Sequence, residues 1–164
     1  MNLALTSGNS LSRTLFVAAL FLGMACQLPP VGAATHRLDD SASQVISPNA
    51  RMEWRSLAPG RAADHDVEAL IRVNIRIDTR AWVGRAGRIY MVLPQDDGPR
   101  MTAQWQTQGK LLAGRLVSGE RGLVYAGPIT QPLLEDQMLV YLRTDGRWMS
   151  NSRRLAFHFE LDTD

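Results

Sequence analysis

Apolar and polar residues alternate over residues 67–77. Valine, alanine and isoleucine occupy the odd positions, whereas glutamate, arginine and asparagine occupy most of the even ones. Successive side chains of a strand point to opposite faces, so a period of two predicts a β-strand with one face in a core. Branched side chains also suit a pleated surface. We therefore predict a half-buried strand here.

The same alternation returns in shorter stretches. Strand patterns cover residues 88–93, 101–107, 110–117, 121–126, 137–143 and 154–161. Short turns between the strands from 101 to 126 predict an antiparallel meander, and Asp145-Gly146 predicts a hairpin between the last two strands.

The whole pattern predicts an all-β protein, because no stretch has the period of an amphipathic helix. About seven strands at short intervals are typical of an antiparallel β-sandwich that is immunoglobulin-like in size. A small β-barrel is the alternative. We expect residues 51–164 to form a single sandwich domain, and residues 35–50, which have few bulky apolar groups, to be a flexible lead-in.

Residues 1–34 predict export. Arg13 precedes a 12-residue apolar run, residues 14–25, and small side chains follow before position 35. A membrane-spanning helix needs about 20 apolar residues, so this run is typical of a signal peptide and not of an anchor. We predict cleavage after Ala33 or Ala34 and a periplasmic or secreted location.

Cys26, the only cysteine, provides the alternative localisation. In a bacterial lipoprotein such a cysteine becomes the lipidated first residue, although Gly23 stands where a branched apolar residue is usual. Cleavage after Ala33 or Ala34 would remove Cys26. The mature domain would then have no disulfide and would depend on its hydrophobic core.

Charge and motifs exclude several functions. The net charge of +2 over 164 residues gives no general attraction to nucleic acid or to an anionic membrane. The chain has no nucleotide-binding loop, nucleophile elbow or metal-ligand spacing, so we predict no cofactor and no metal. An enzyme is disfavoured, and a hydrolase with dispersed acidic residues is the one catalytic alternative.

Positive charge is concentrated between residues 72 and 88, where the sequence has five arginines and one acidic residue. Guanidinium groups beside an indole ring suit an anionic partner. The candidate binding residues are Arg72, Arg76, Arg80, Trp82, Arg85, Arg88 and Trp148. In the structural alternative, the arginines pair with acids on neighbouring strands and Trp82 covers one end of the domain.

These patterns predict an exported, non-catalytic envelope protein that recognises a protein partner, such as a component of a surface appendage or a secretion system. The contact would use the arginine-rich surface or the exposed edge of the 67–77 strand. The alternative is a carbohydrate-binding module in which exposed tryptophans and arginines bind an anionic glycan.

Overall fold

Two antiparallel β-sheets contain most of the residues that the computed structural model describes. The structure describes residues 34–46, 50–55, 65–95, 98–148 and 156–163. Nearly all of the predicted signal peptide, including Cys26, lies outside the described residues, as does the side chain of Trp148.

The first sheet has four strands and the second has six. In spatial order, the first contains Ala34–Arg37 (β1), His158–Thr163 (β10), Ala86–Val92 (β5) and Arg121–Pro128 (β8). The second contains Gln44–Val45 (β2), Asp66–Asp78 (β4), Leu133–Asp145 (β9), Met101–Thr107 (β6) and Gly114–Val117 (β7), with Glu53–Trp54 (β3) also paired to β4. Short 3₁₀ turns span Arg80–Trp82 and Gly146–Trp148.

The all-β class is thus confirmed. The described residues contain strands, turns and single 3₁₀ turns but no α-helix. In this part of the chain, no helix has the length and apolar character needed to cross a membrane.

The period of two predicted for residues 67–77 is confirmed in β4. Its odd-numbered side chains are buried and its even-numbered ones are exposed or half-buried. β4 pairs with β9 along its whole length, from Asp66 opposite Asp145 to Asp78 opposite Leu133. This ladder forms the middle of the six-stranded sheet and fixes which side chains face the core.

Inward-facing side chains of both sheets form one hydrophobic cluster. Its largest members with almost no exposed surface are Trp105, Phe159, Ile77, Ile89, Met91, Leu116, Met138 and Leu161. The face of each sheet that points away from this cluster is called its outer face below.

Trp105 lies in the core, as its parity predicts, and is 1% exposed. Its indole Nε1 donates a hydrogen bond of 2.8 Å to the carbonyl oxygen of Leu112. Two glycines make room for the ring, since a Cβ added at Gly114 or Gly122 would lie 2.6 Å or 2.7 Å from it. The indole therefore requires small residues on β7 of its own sheet and on β8 of the other sheet.

The predicted meander and final hairpin are wrong. β6 pairs with β7, but β8 pairs with β5 in the other sheet. β9 and β10 also lie in different sheets. At the end of β9, the Asp145 carboxylate accepts the backbone N–H of Arg147 at 3.0 Å, and the chain continues into a 3₁₀ turn. Turn residues showed where strands end, but not which strand each one joins.

The described part of the predicted lead-in, residues 35–50, contains strand structure. β1 pairs with β10, and Leu38 is buried with 4% of its surface exposed. Asp39, which follows, contacts the second sheet: its carbonyl oxygen accepts the backbone N–H of Asp78 at 2.8 Å. The structure differs from the expectation because one buried leucine and backbone pairing suffice to order a polar segment.

β4 is not the exposed edge that the sequence predicts. β9 pairs with one side of it, and the short strands β2 and β3 pair with the other. The Ser43 hydroxyl also accepts the backbone N–H of Arg76 at 2.8 Å and donates to its carbonyl oxygen at 3.1 Å. Two-residue strands have no period to recognise, so the sequence did not reveal this cover.

We expect Gly114→Ala to lower the free energy of unfolding by about 1–3 kcal/mol, because the new Cβ would overlap the Trp105 ring. Urea titration followed by tryptophan fluorescence would measure the change. Ala113→Ser, at the exposed neighbouring position, is the matched control and should stay within about 0.5 kcal/mol of wild type. Equal stability of the two variants would contradict the tight packing of the indole.

Candidate binding surface on the six-stranded sheet

The five arginines between residues 72 and 88 do not lie on one surface. Arg72 and Arg76 are exposed on the outer face of β4, whereas Arg88 is exposed on β5 in the other sheet. Arg80 and Arg85 lie in the connection between these strands. The structure therefore brings together only the first two of the predicted cationic residues.

Most of these arginines have a partner. Arg76 Nε lies 2.8 Å from Glu135 Oε1, and Arg80 Nη2 lies 3.5 Å from Asp78 Oδ2. Such exposed ion pairs contribute about 0–1 kcal/mol. Arg72 differs, because none of the described residues forms an ion pair with it.

Trp82 is half-buried and packs against the hydrophobic cluster. The His36 ring lies 4.4 Å from it between ring centroids, and the Arg85 guanidinium carbon lies 5.5 Å from the indole centroid. These contacts correspond to the structural alternative for Trp82. Trp148 is the last residue of the second 3₁₀ turn, and its side chain lies outside the part of the chain that the structure describes.

The outer face of the four-stranded sheet has a network of opposite charges. Arg121 lies over the Tyr90 ring at 3.7 Å and pairs with Asp162 and, at 3.5 Å, with Glu160. The hydroxyl of Thr35 donates to Asp162 at 2.7 Å. This hydrogen bond and the neighbouring Arg121 hold the pKa of the Asp162 carboxyl below its ordinary value. These charges are already neutralised within the protein.

The outer face of the six-stranded sheet has a different composition at its centre. One row across the sheet places Leu70 opposite Tyr141, Tyr141 opposite Gln104 and Gln104 opposite Arg115. A second row contains Arg72, Leu139 and Gln106, and Ile46 joins it by donating its backbone N–H to the Arg72 carbonyl oxygen at 2.9 Å. We call these eight residues the central band.

The central band exposes large apolar side chains. Leu70 is 53% exposed, Ile46 49% and Tyr141 43%. An apolar pair that lies directly opposite in register forms one surface instead of two isolated contacts. Contiguous exposed apolar groups of this kind mark interaction sites more often than single ones do.

The central band contains no acidic residue. Ion pairs lie beyond it on both sides: Asp66 with Arg143 and Glu68 with Arg55 on one side, and Arg76 with Glu135 on the other. Within the described chain, neither Arg72 nor Arg115 has an ionic partner. The middle of this face is therefore cationic and partly apolar.

An open trough of about 370 Å³ adjoins the central band. Its lining residues are Ala42, Gln44, Asn74, Ile75, Arg76, Glu135, Asp136 and Gln137. Three of them form a row of amides, in which Gln137 Nε2 donates to Asn74 Oδ1 at 3.2 Å and Gln44 lies opposite Asn74. Amides of this kind can hydrogen-bond neutral hydroxyl groups.

Both carboxylates of the trough have structural partners. Glu135 pairs with Arg76, as described above. Asp136 accepts the backbone N–H groups of Gly109, Leu111 and Gln137 at 2.7–2.8 Å, and that of Gln108 at 3.2 Å. Asp136 thus holds the loop between β6 and β7 in place. The trough provides no pair of unengaged carboxylates for hydrolysis.

No metal site emerges from the described residues. In that part of the chain, no three His, Cys, Asp or Glu side chains come close enough together to hold an ion.

Sequence reasoning missed Leu70, Arg115 and Tyr141. Leu70 is an apolar residue on the polar parity of β4, and this is the one signal that the sequence offered. Tyr141 and Arg115 are distant in sequence, and they join Leu70 only through the register of four strands. The pattern of apolar and polar residues along one strand predicts which of its side chains face the core, but not which strands pair with it.

Comparison with known proteins identifies no relative. No protein-family model matches the chain, and neither a curated protein nor a solved structure is significantly similar to it. Any functional conclusion therefore depends on the geometry of the surface itself.

We expect Asp136→Asn to destabilise the protein by about 2–3 kcal/mol, because the substitution removes a charged acceptor and directs an amide group at backbone donors. Thermal and urea unfolding would measure the loss. Glu135→Gln is the matched control, since its exposed ion pair with Arg76 is worth about 0–1 kcal/mol. An Asp136→Asn variant as stable as Glu135→Gln would contradict the anchoring role.

Lowering the pH below the ordinary pKa of a carboxyl group should destabilise the fold. The hydrogen bonds from Arg147 lower the pKa of Asp145 from 3.8 to about 2, and the pKa values of Asp39 and Asp162 are also lowered. Their contribution to stability is present above the unfolded pKa and is lost as the pH falls through the folded pKa. We expect urea midpoints to decline between pH 3.8 and about 2, with a smaller decline in Asp145→Asn. An identical pH profile for this variant would contradict the role of the Asp145–Arg147 pair.

Proposed function

We propose that this is an exported, non-catalytic protein of the cell envelope that binds another protein through the central band of its six-stranded sheet. The binding partner would be a component of an envelope assembly, such as a surface appendage or a secretion system. Of the arginines predicted from the sequence to bind a partner, only Arg72 belongs to the central band. Arg115, which the sequence did not predict, is the second arginine of the band.

The observation that carries this proposal is the exposed pair Leu70 and Tyr141. These side chains lie opposite each other on neighbouring strands, and each leaves about half of its surface in solvent. Aromatic and arginine side chains are enriched in protein interfaces, whereas lysine is depleted. The central band has a tyrosine and two arginines but no lysine.

We infer that the two sheets pack face to face as a β-sandwich of immunoglobulin-like size, which their shared hydrophobic cluster supports. Residues 1–34 would be a signal peptide that directs the domain to the periplasm or the exterior. Lipid attachment at Cys26 is the alternative.

Glycan binding is the second candidate function. The row of amides in the open trough favours it, since planar amides donate to and accept from sugar hydroxyls. In this candidate, the ligand would occupy the trough beside Arg76, and Tyr141 would lie too far along the sheet to be essential. Substitutions in the central band and in the trough therefore distinguish the two functions.

We expect the Leu70→Ser and Tyr141→Ser double variant to lose the partner that the wild-type chain captures from an envelope extract. Recovery of that partner should fall at least about tenfold, because both exposed apolar contacts are removed. Quantitative mass spectrometry of the captured proteins would measure the loss. The fold should be retained, since both side chains are largely exposed.

Val83→Ser with Leu123→Ser is the matched control, because both residues are exposed apolar groups outside the central band. This variant should capture the partner as wild type does. Undiminished capture by the central-band variant would refute the proposed binding surface. Loss of glycan binding in Asn74→Ala and Gln137→Ala, with protein capture unchanged, would favour the second candidate.

A further inference from the structure

The two arginines of the central band lack a counter-charge within the described protein. Elsewhere on the same face, Arg76 and Arg143 each lie beside a carboxylate from a neighbouring strand. Arg72 and Arg115 instead have apolar or amide neighbours, Leu139 and Gln104, at the opposite positions. A bound partner that covers the band must supply carboxylates or leave these guanidinium groups desolvated at a cost in free energy.

The apolar part of the band suits a polypeptide. Three of its four apolar residues are aliphatic: Ile46, Leu70 and Leu139. Sugar rings preferentially stack on aromatic faces, whereas aliphatic side chains pack against other aliphatic side chains without that geometry. The band thus combines two cations with a surface for leucine-like or valine-like groups.

The register fixes the spacing of the two cations. Arg72 lies in the row of Gln106, and Arg115 lies in the row of Gln104, two residues further along β6. Three strand spacings of about 4.8 Å and two residue steps of about 3.4 Å place their Cα atoms about 16 Å apart. An extended peptide covers this distance in about five residues.

From this arrangement we propose that the occupant of the central band is an extended acidic segment of a protein, with carboxylates that meet Arg72 and Arg115 on either side of an apolar residue. This inference rests on the proposed function, because it specifies the chemistry of the partner at the same surface. The apolar residue of the segment packs on the surface that Leu70 and Tyr141 form, and the arginines select for acidic flanks.

A panel of synthetic peptides tests this proposal with the full chain. Each peptide carries two glutamates at increasing separations around a central leucine, and a matched panel carries glutamines instead. Fluorescence anisotropy should show the tightest binding at a separation of about five residues, weaker binding as salt is raised, and at least about tenfold weaker binding of the glutamine peptides.

The Arg72→Glu and Arg115→Glu double variant should lose at least about tenfold in affinity for the best glutamate peptide. Arg37→Glu with Arg80→Glu is the control, since it makes the same change of net charge at exposed positions outside the band. Its affinity should stay within about twofold of wild type apart from long-range screening effects. Circular dichroism would confirm that both variants retain the β fold.

Three outcomes would overturn the inference. Equal losses in the two double variants would indicate general charge attraction, and equal binding of glutamate and glutamine peptides would remove the role of the carboxylates. Tighter binding of a polyuronate than of every peptide would assign the arginines to an acidic glycan. The proposed function would survive the second outcome if Leu70→Ser with Tyr141→Ser still abolished partner capture, so the two failures are distinguishable.

Discussion

The continuous ladder between β4 and β9 determines how the rest of the second sheet is arranged. Because the two strands pair from end to end, every side chain on them points either into the core or to the outer face. A shift of one residue would expose Ile71 and Ile75 and bury Arg72. β6 and β7 extend the same register on one side, and β2 and β3 cover the other. The central band is a product of this single alignment.

The connection between β4 and β5 explains why a cluster of charge in the sequence is not a cluster in space. The two strands are consecutive in the chain but belong to different sheets. Thr79 is fully buried at the crossing, and its hydroxyl donates to the Gln131 carbonyl oxygen at 2.7 Å. Arg72 and Arg88 consequently face different surroundings. Proximity in sequence places charges together only within one strand or one turn.

The parity of β4 and the burial of Trp105 could be predicted from sequence because each depends on local alternation. Pairing could not, since Asp145-Gly146 is chemically suited both to a hairpin and to the 3₁₀ turn that the Asp145 carboxylate stabilises. The ordered segment around Leu38 was missed because a single apolar residue among polar ones carries no period. The candidate site depends on cross-strand neighbours such as Leu70 and Tyr141, and it therefore became visible only with the register.

The pairing of β1 with β10 has a consequence for the order in which the fold can form. These strands join the two ends of the described chain, with Thr35 opposite Asp162 and the Thr35 hydroxyl bonded to that carboxylate. Contacts between residues so far apart in sequence form late, and they make folding slower. During synthesis, β1 cannot pair until β10 has been made. A domain closed in this way completes its four-stranded sheet only in the last stage of folding.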